Sequence, residues 1–222
     1  MLLLQFSTSH YCRKARLALG YKKISYAVEN LTPGFHSLKL KPLTGLTTMP
    51  VLLPQLENEQ AAIGDSTQIF KFLERYQPEP SLLPVSPQLQ GEAWMLEDWL
   101  DESVGVATRF VYYDFRAGAG KSIDGSFFSQ LVIGVVRRQY NINSASVKLA
   151  TDRLDKAMEF LGCRWQNSPF LVGDNLSVAD LAAAALLSPL ARIPQYKENY
   201  PLLMQRIAEI HDICNEPLPP GL

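Results

Sequence analysis

The chain has 222 residues, of which 47% are hydrophobic, and its formal net charge is −1. This composition excludes an intrinsically disordered protein, because disordered chains bury too little apolar surface to offset the entropy of folding. With 21 basic against 22 acidic residues and no long basic run, the chain also lacks the charge pattern of a nucleic-acid or membrane-surface binder. The longest apolar stretch, 178–188, is shorter than the roughly 20 residues that span a bilayer, so we expect no membrane-spanning segment.

The cysteine content favours a reducing compartment. The three cysteines, Cys12, Cys163 and Cys214, are odd in number and show no paired spacing, as expected of a protein without a disulfide framework. The apolar run at the N-terminus has no cationic lead and is too short for the core of a signal peptide. We therefore expect a cytoplasmic, unexported protein.

The first 77 residues alternate between strand-like and helix-like patterns. The predicted order is strand, helix, strand, helix, strand, strand, helix, at residues 2–6, 10–21, 24–28, 37–40, 51–53, 61–63 and 66–76. A strand-helix-strand start predicts two parallel strands with a right-handed crossover. The fifth and sixth segments predict a hairpin that turns near residues 57–59.

A proline-rich segment then separates this part from a purely helical one. Four prolines between residues 78 and 87 favour neither a helix nor a central strand, so we predict a linker over 78–87. Apolar residues recur at helical spacing after it. The predicted helices cover residues 88–115, 126–140, 144–161, 177–187 and 201–213. The sequence thus predicts an α/β domain at 1–77 and an all-helical domain at 88–222.

Several short motifs have structural as well as functional interpretations. Hydroxyl side chains at residues 7–9 precede the first predicted helix, whose N-terminus favours an anion such as a thiolate, although Ser7 or Ser9 could equally be an N-cap. Capping alone also explains Asp65 and Ser66. The Met49–Pro50 bond could be an ordinary trans bond.

Two other motifs predict no cofactor site. Residues 118–122 lack the first glycine and the preceding strand of a phosphate-binding loop, and the three histidines are scattered, so we predict neither a phosphate loop nor a metal site. Ser177 and Asp180 have the spacing of a capping box at the start of an alanine-rich helix.

Taken together, the order and spacing of four motifs resemble the cytosolic glutathione transferase superfamily over essentially the whole chain. The motifs are the Ser-x-x-Cys-x-Lys-x-Arg start of the first helix at 9–16, the Met-Pro-Val-Leu segment at 49–52, the acid-serine pair at 65–66, and the Gly-Asp-Asn-Leu-Ser-Val-Ala-Asp segment at 173–180. The resemblance implies a thioredoxin-like α/β domain followed by an all-α domain, with glutathione as co-substrate and no metal.

The resemblance also implies roles for individual residues. Ser9 is implied to face the glutathione sulfur and to stabilise its thiolate. The Met49–Pro50 bond is implied to be cis, with the Met49 backbone pairing to the glutathione backbone, and Asp65 and Ser66 are implied to hold the γ-glutamyl end. This chain departs from the family in the long stretch 41–48 and in having Asp65 where Glu or Gln is usual, which leaves the contacts around Lys41 and Thr48 open.

The electrophile is expected to lie against apolar side chains of the helical domain. Candidates are Tyr11, Phe110, Tyr112, Tyr113 and the tail 217–222, all of which could also be plain core residues. Ser7, Tyr11, Arg13 and Arg16 are the alternatives to Ser9 as the group that activates the thiol.

The expected function is conjugation of glutathione to small, largely apolar electrophiles, as in detoxification, by a homodimer. One alternative is a glutathione-dependent thiol reductase or peroxidase that uses Cys12, which retains the second cysteine position of a Cys-x-x-Cys segment. Another is a non-catalytic binding module on the same fold.

Overall fold

The computed structural model describes residues 1–57 and 61–222. Its N-terminal part contains four strands and three helices. In chain order these are β1 (Leu2–Gln5), α1 (His10–Tyr21), β2 (Ala27–Asn30), α2 (His36–Thr44), β3 (Val51–Leu53), β4 (Ile63–Gly64) and α3 (Ser66–Tyr76).

The strands form one mixed sheet in the order β2-β1-β3-β4. β1 and β2 are parallel, with Leu3 opposite Val28, and α1 forms the crossover between them, as predicted. β3 is antiparallel to both β1 and β4, which confirms the predicted hairpin pairing. Part of its predicted turn, at residues 58–60, lies outside the described residues.

Four predicted segments in this part had wrong bounds. β1 ends at Gln5 rather than at residue 6, β4 covers Ile63–Gly64 rather than 61–63, and the larger differences are in β2 and α2. β2 begins at Ala27 rather than at residue 24, because the Ile24 N–H still bonds to the Leu19 carbonyl of α1 and pairing with β1 starts only where Ala27 N–H bonds to Met1 O, at 2.9 Å. α2 extends to Thr44 and contains Pro42. The stretch expected to be a long loop at 41–48 is therefore half helical, and Gly45 ends α2 with a left-handed φ of 74°.

Past residue 86 the described structure is helical. The α-helices are α4 (Pro87–Trp99), α5 (Gly105–Ala117), α6 (Phe127–Gln139), α7 (Ser144–Asn167), α8 (Val178–Leu187), α9 (Pro194–Asn199) and α10 (Pro201–Ile213). A π-helical segment (Leu100–Val104) joins α4 to α5, and 3₁₀ turns occupy Lys121–Ile123 and Ser188–Arg192.

The predicted helix 88–115 thus runs continuously through a π-turn, whereas α9 was not predicted. None of the described helices combines the length and the hydropathy needed to cross a membrane.

One hydrophobic core joins the two parts of the fold. Every residue of α8 is buried, and α1 packs directly against it. The alanines at 182–185 have small side chains, which suits such a close helix contact. The predicted capping box is present: the Asp180 carboxylate accepts bonds from the Ser177 N–H at 2.9 Å and from the Ser177 hydroxyl at 2.8 Å.

A buried lysine fastens the proline-rich segment to the α/β part. Lys22, at the C-terminal end of α1, is fully buried and pairs with Glu74 of α3 at 2.6 Å. Its ammonium also donates to the carbonyl oxygens of Gln77 at 2.6 Å and of Pro80 at 3.0 Å. Because each ammonium hydrogen has an acceptor, this buried charge is satisfied and holds the segment in place.

Candidate functional site

Ser9 is the N-cap of α1. Its backbone is extended, at φ −73° and ψ 126°, and its Oγ accepts a hydrogen bond from the Cys12 N–H at 3.4 Å. The first turn of α1 contains no acidic residue, so the helix dipole is not neutralised there.

The capping role of Ser9 does not use its hydroxyl proton. A serine hydroxyl accepts with its lone pairs and donates one hydrogen. Among the described residues that hydrogen has no oxygen or nitrogen acceptor, and its interaction there is a weak one with the Cys12 sulfur. The side chain, which is half-buried, can therefore cap the helix and donate to an anion at the same time. The structural and the functional interpretations of Ser9 are compatible.

The other groups that could activate a thiol are engaged elsewhere or exposed. The Tyr11 hydroxyl donates to the Asp101 carbonyl at 2.7 Å. Arg13 donates to the Ser188 hydroxyl, and Arg16 pairs with Glu216 at 2.6 Å. Ser7, like Thr8, is exposed in the turn after β1. Of these candidates, Ser9 has the least committed donor beside the helix N-terminus.

The π-turn positions Tyr11. In this segment the Gly105 N–H bonds to the Leu100 carbonyl, one residue further back than in an α-helix, and the Asp101 carbonyl accepts the Tyr11 hydroxyl. A Cβ atom at Gly105 would lie 2.9 Å from that hydroxyl oxygen, so a side chain there would displace Tyr11. Tyr11 thus connects α1 to the junction of α4 and α5.

The other two implied glutathione-binding segments lie next to each other. The Met49–Pro50 bond is cis, as the resemblance implied, and the Asp65 N–H donates to the Pro50 carbonyl at 3.2 Å. Met49 precedes β3, which pairs with β1, and β1 leads into the turn before Ser9. The sheet therefore brings the start of α1, the cis proline and the start of α3 to one edge.

Asp65 and Ser66 begin α3. Asp65 has a left-handed φ of 77° and caps the helix through Oδ1, which accepts from Thr67 N–H at 2.9 Å and Gln68 N–H at 3.1 Å. Its second carboxylate oxygen forms no hydrogen bond with the described residues, and the residue is exposed. Ser66 is 2% exposed, and its hydroxyl likewise has no partner within that part of the chain. Both side chains keep a group available for a ligand.

A buried ionic cluster links α1, α3 and α4 beneath this edge. The Lys14 ammonium pairs with Glu97 and, at 2.6 Å, with Asp101. The Thr67 hydroxyl donates to Glu97 at 2.6 Å. All three charged residues are at most 6% exposed, so one cation faces two buried carboxylates.

This imbalance affects Asp101. Burial, followed by the repulsion of Glu97, raises the pKa of the Asp101 carboxyl to about 6, although Lys14 acts in the opposite direction. One oxygen of this carboxylate is buried without a hydrogen-bond partner in the described structure. Protonation of Asp101 would leave the cluster neutral.

Cys12 is placed unlike a reactive thiol. Its side chain is fully buried, and burial raises the pKa of the thiol above its ordinary value even though Ser9 acts to lower it. A buried, protonated thiol is a weak nucleophile.

Of the electrophile candidates, Tyr11 and Phe110 both pack against the main core, and Tyr11 and Tyr113 share Arg109 as a charged neighbour. Both tyrosines are half-buried. Burial raises the pKa of both hydroxyls, and the positive charge of Arg109 acts in the opposite direction. The Tyr112 and Tyr113 rings contact edge to face at 5.6 Å. The tail 217–222 packs against the 3₁₀ turn Ser188–Arg192, since a Cβ atom at Gly221 would lie 2.6 Å from the Ala191 carbonyl oxygen.

Sequence reasoning missed the partners of Lys14. Lys14 lies among buried residues of α1, and Glu97 and Asp101 are four residues apart within an apolar helical stripe. Charges inside apolar stripes are the signal that could have identified the cluster, because buried charges are paired. Their distance of more than 80 residues along the chain hides the partnership.

Comparison with known proteins agrees with this fold. Residues 3–81 match the family model for the glutathione S-transferase N-terminal domain, and residues 126–210 match the model for its C-terminal domain. A stringent starvation protein A homolog of Pasteurella multocida is 29% identical over 104 residues, 45% of this chain. The chain spans only about half of that curated relative, since 47% of its length is matched.

A second relative and a solved structure match most of the chain. FtsZ-localized protein A of Caulobacter vibrioides is 24% identical over 181 residues, which cover 79% of this chain and 71% of that protein. The structure named FzlA from C. crescentus superposes with a TM-score of 0.74 at 20% identity, covering 96% of this chain and 88% of that one.

A glutathione S-transferase of Methylobacterium radiotolerans in complex with glutathione sulfonate gives a TM-score of 0.70 at 20% identity, covering 95% of this chain and 89% of its own. At these identities the structures show a shared fold, and the two family models cover both halves of the chain. This protein is a member of the glutathione transferase superfamily.

Proposed function

We propose that this protein is a glutathione transferase, in which Ser9 donates a hydrogen bond to the glutathione thiolate that attacks a small electrophile. The observation that carries the proposal is the Ser9 hydroxyl, which caps α1 as an acceptor and whose own proton has no oxygen or nitrogen acceptor among the described residues. The donor therefore lies where the helix dipole also favours a negative charge.

The interactions at Ser9 are strong enough to lower the pKa of the glutathione thiol. A free thiol has a pKa near 8.5, and lowering it by two units takes about 2.7 kcal/mol. A hydrogen bond to a charged partner contributes about 1.5–3 kcal/mol, and the helix dipole adds about 0.3–1 kcal/mol. Ser9 and the N-terminus of α1 together suffice, with no metal or general base.

The glutathione peptide is proposed to bind along the edge formed by the cis proline and the start of α3. The Met49 backbone pairs with the peptide, the Ser66 hydroxyl and the helix N-terminus receive the γ-glutamyl carboxylate, and Asp65 receives the ammonium. The unpartnered hydroxyl of Ser66 and the free oxygen of Asp65 support this assignment. Related structures with glutathione or glutathione sulfonate bound support it as well.

The electrophile is proposed to bind between α1 and α5, where Tyr11 and Tyr113 lie.

We also propose that the protein is a cytoplasmic homodimer. Large apolar side chains remain exposed on both parts of the chain, such as Leu38 and Met95 at 75% each, and they provide surface for a second subunit. Light scattering at micromolar concentration tests the dimer, and a monomer mass would contradict it.

A non-catalytic binding module is the second candidate. It is supported by similarity to proteins named stringent starvation protein A homolog and FtsZ-localized protein A. The available donors at Ser9 and Ser66 favour an enzyme. The burial of Cys12 favours conjugation over reduction by a protein thiol.

Steady-state conjugation of glutathione to chlorodinitrobenzene tests the proposal. Ser9→Ala should lower kcat/KM at neutral pH by roughly tenfold to a hundredfold, with little change in glutathione affinity. Thr8→Ala, which removes an exposed neighbouring hydroxyl, is the matched control and should leave kcat/KM unchanged. Glutathione binding without any conjugation in the wild type would favour the binding module instead.

A further inference from the structure

Four arginines lie on or next to the two helices between which the electrophile is proposed to bind. Arg13 lies on α1, Arg109 and Arg116 lie on α5, and Arg192 ends the 3₁₀ turn after α8. None of the four forms an ion pair with a carboxylate of residues 1–57 or 61–222. By comparison, the neighbouring cations Lys14, Arg16 and Arg137 each pair with a carboxylate.

Two of these guanidinium groups are almost fully buried. Arg13 is 7% exposed and Arg116 is 6% exposed. The Nε–H of each is buried with no hydrogen-bond partner in the described part of the chain. Burying a cation without an anion costs free energy, and burial lowers the pKa of Arg13 to about 10. An anionic ligand would offset this cost.

Tyrosine side chains contact three of the four arginines. The Tyr112 hydroxyl oxygen accepts from Arg116 at 3.1 Å and from Arg192 at 3.4 Å. Arg109 has no hydrogen bond to the described residues, and its guanidinium carbon lies 5.4 Å from the centre of the Tyr11 ring and 4.5 Å from that of Tyr140. The charges of Arg109 and Arg116 both act on Tyr113, so the two groups are neighbours beside α5. Arg109 and Arg192 are the partly exposed arginines of this surface.

Acidic groups near this surface do not neutralise it. Glu216 acts on Arg13 but is paired with Arg16, and Asp114 is paired with Arg137 at 3.2 Å. Glu102, which acts on Tyr11, is exposed and makes no ion pair with the described chain. Asp124, which acts on Arg116, is also exposed and makes no ion pair with the described chain. Four arginines thus face two exposed, unpaired carboxylates, and the surface keeps an excess of positive charge.

We infer that the electrophile of this protein is an aromatic compound that carries an anionic group, which the arginines bind while the tyrosines contact its ring. The inference rests on the proposed function and specifies its substrate class. Guanidinium groups suit it because they bind carboxylates through paired hydrogen bonds and stack on aromatic rings. Arg109 contributes most directly, since the residue is half-buried and its guanidinium forms no hydrogen bond or ion pair with the described residues.

The corresponding reaction is an aromatic substitution. The glutathione sulfur forms a bond to the ring carbon that carries a halide, and the halide leaves with the electron pair of the broken bond. The thiol proton passes to solvent, so that nothing is oxidised or reduced. Arg109 holds the anionic group of the substrate and is not required to stabilise the thiolate.

The test compares 4-chloro-3,5-dinitrobenzoate with its methyl ester as substrates of the full chain. The wild type should show kcat/KM at least roughly tenfold higher for the carboxylate, beyond the ratio of the uncatalysed reactions. Arg109→Gln should reduce this preference, measured as the ratio of kcat/KM for the carboxylate to kcat/KM for the ester, to within about threefold. Arg138→Gln, at an exposed position on α6, should keep the full preference.

Binding of dinitrobenzoate, which lacks the halide, provides a readout independent of turnover. Titration calorimetry of the glutathione-saturated protein should give tighter binding for the acid than for its methyl ester, and Arg109→Gln should remove the difference. An ester that binds and reacts as well as the acid would overturn the inference and leave the proposed function intact. Selective binding of the acid without conjugation would instead overturn the proposed function and support the anionic site.

Discussion

Replacing Lys14 with methionine should strongly destabilise this protein. Lys14 is fully buried and pairs with Glu97 and Asp101, whose carboxylates are also buried. Its removal leaves two carboxylates near one another with no cation, and breaking a buried pair in this way costs about 3–5 kcal/mol. For a chain of this length, a change of about 1 kcal/mol shifts the melting temperature by about 2–4 °C. The expected loss is therefore roughly 6–20 °C.

Thermal and urea unfolding at neutral pH measure this loss, with Lys39→Met as the matched control. Lys39 pairs with Glu29, but both side chains are more than 40% exposed, and such surface pairs contribute less than about 1 kcal/mol. Glu97→Gln combined with Asp101→Asn should restore part of the stability of Lys14→Met by removing the unpaired charges. A Lys14→Met variant as stable as Lys39→Met would refute the idea that the ionic cluster joins α1 to α4.

Three further changes have defined outcomes. The pKa of Asp101 is raised from 3.8 to about 6, so its carboxyl stabilises the fold when protonated, and this contribution is lost as pH rises from about 4 to 6. Urea titrations at several pH values should show that Asp101→Asn removes this pH dependence. Gly20→Ala should destabilise the fold by about 1–3 kcal/mol, because a Cβ atom there would lie 2.0 Å from the Cys214 carbonyl oxygen. The control Gly91→Ala, in open space on α4, should be neutral or stabilising in the same assay. Ser66→Ala should weaken glutathione binding, measured by calorimetry, by about 1.5–3 kcal/mol, and unchanged affinity in a folded variant would contradict its assignment.

Local patterns predicted those elements whose signals are contained in their own residues. The helix at 10–21 and the strand at 51–53 have the predicted bounds, because each combines a periodic apolar pattern with clear breaks. The second strand began three residues later than predicted, since the end of α1 still binds the Ile24 N–H. That contact depends on how the helix ends, which the alternating pattern of residues 24–28 does not indicate.

The candidate site was predictable only in part. Ser9, the cis Met49–Pro50 bond and the pair Asp65–Ser66 came from a resemblance to a family, because capping explains the hydroxyls and carboxylate equally well from sequence. The ionic cluster of Lys14 and the arginines around Tyr112 are formed by residues distant in the chain. Such contacts arise when α1, α5 and the turn after α8 pack together, and no local pattern specifies them.

Titration of the bound glutathione thiol tests the central claim most directly. Thiolate absorbance of the glutathione complex is measured against pH for the wild type, for Ser9→Ala and for the control Thr8→Ala. The wild type and Thr8→Ala should titrate below the pKa near 8.5 of a free thiol, and Ser9→Ala should titrate about one to two units higher than the wild type. Superimposable curves for the wild type and Ser9→Ala, with equal glutathione affinity, would contradict the role of Ser9 as the thiolate donor.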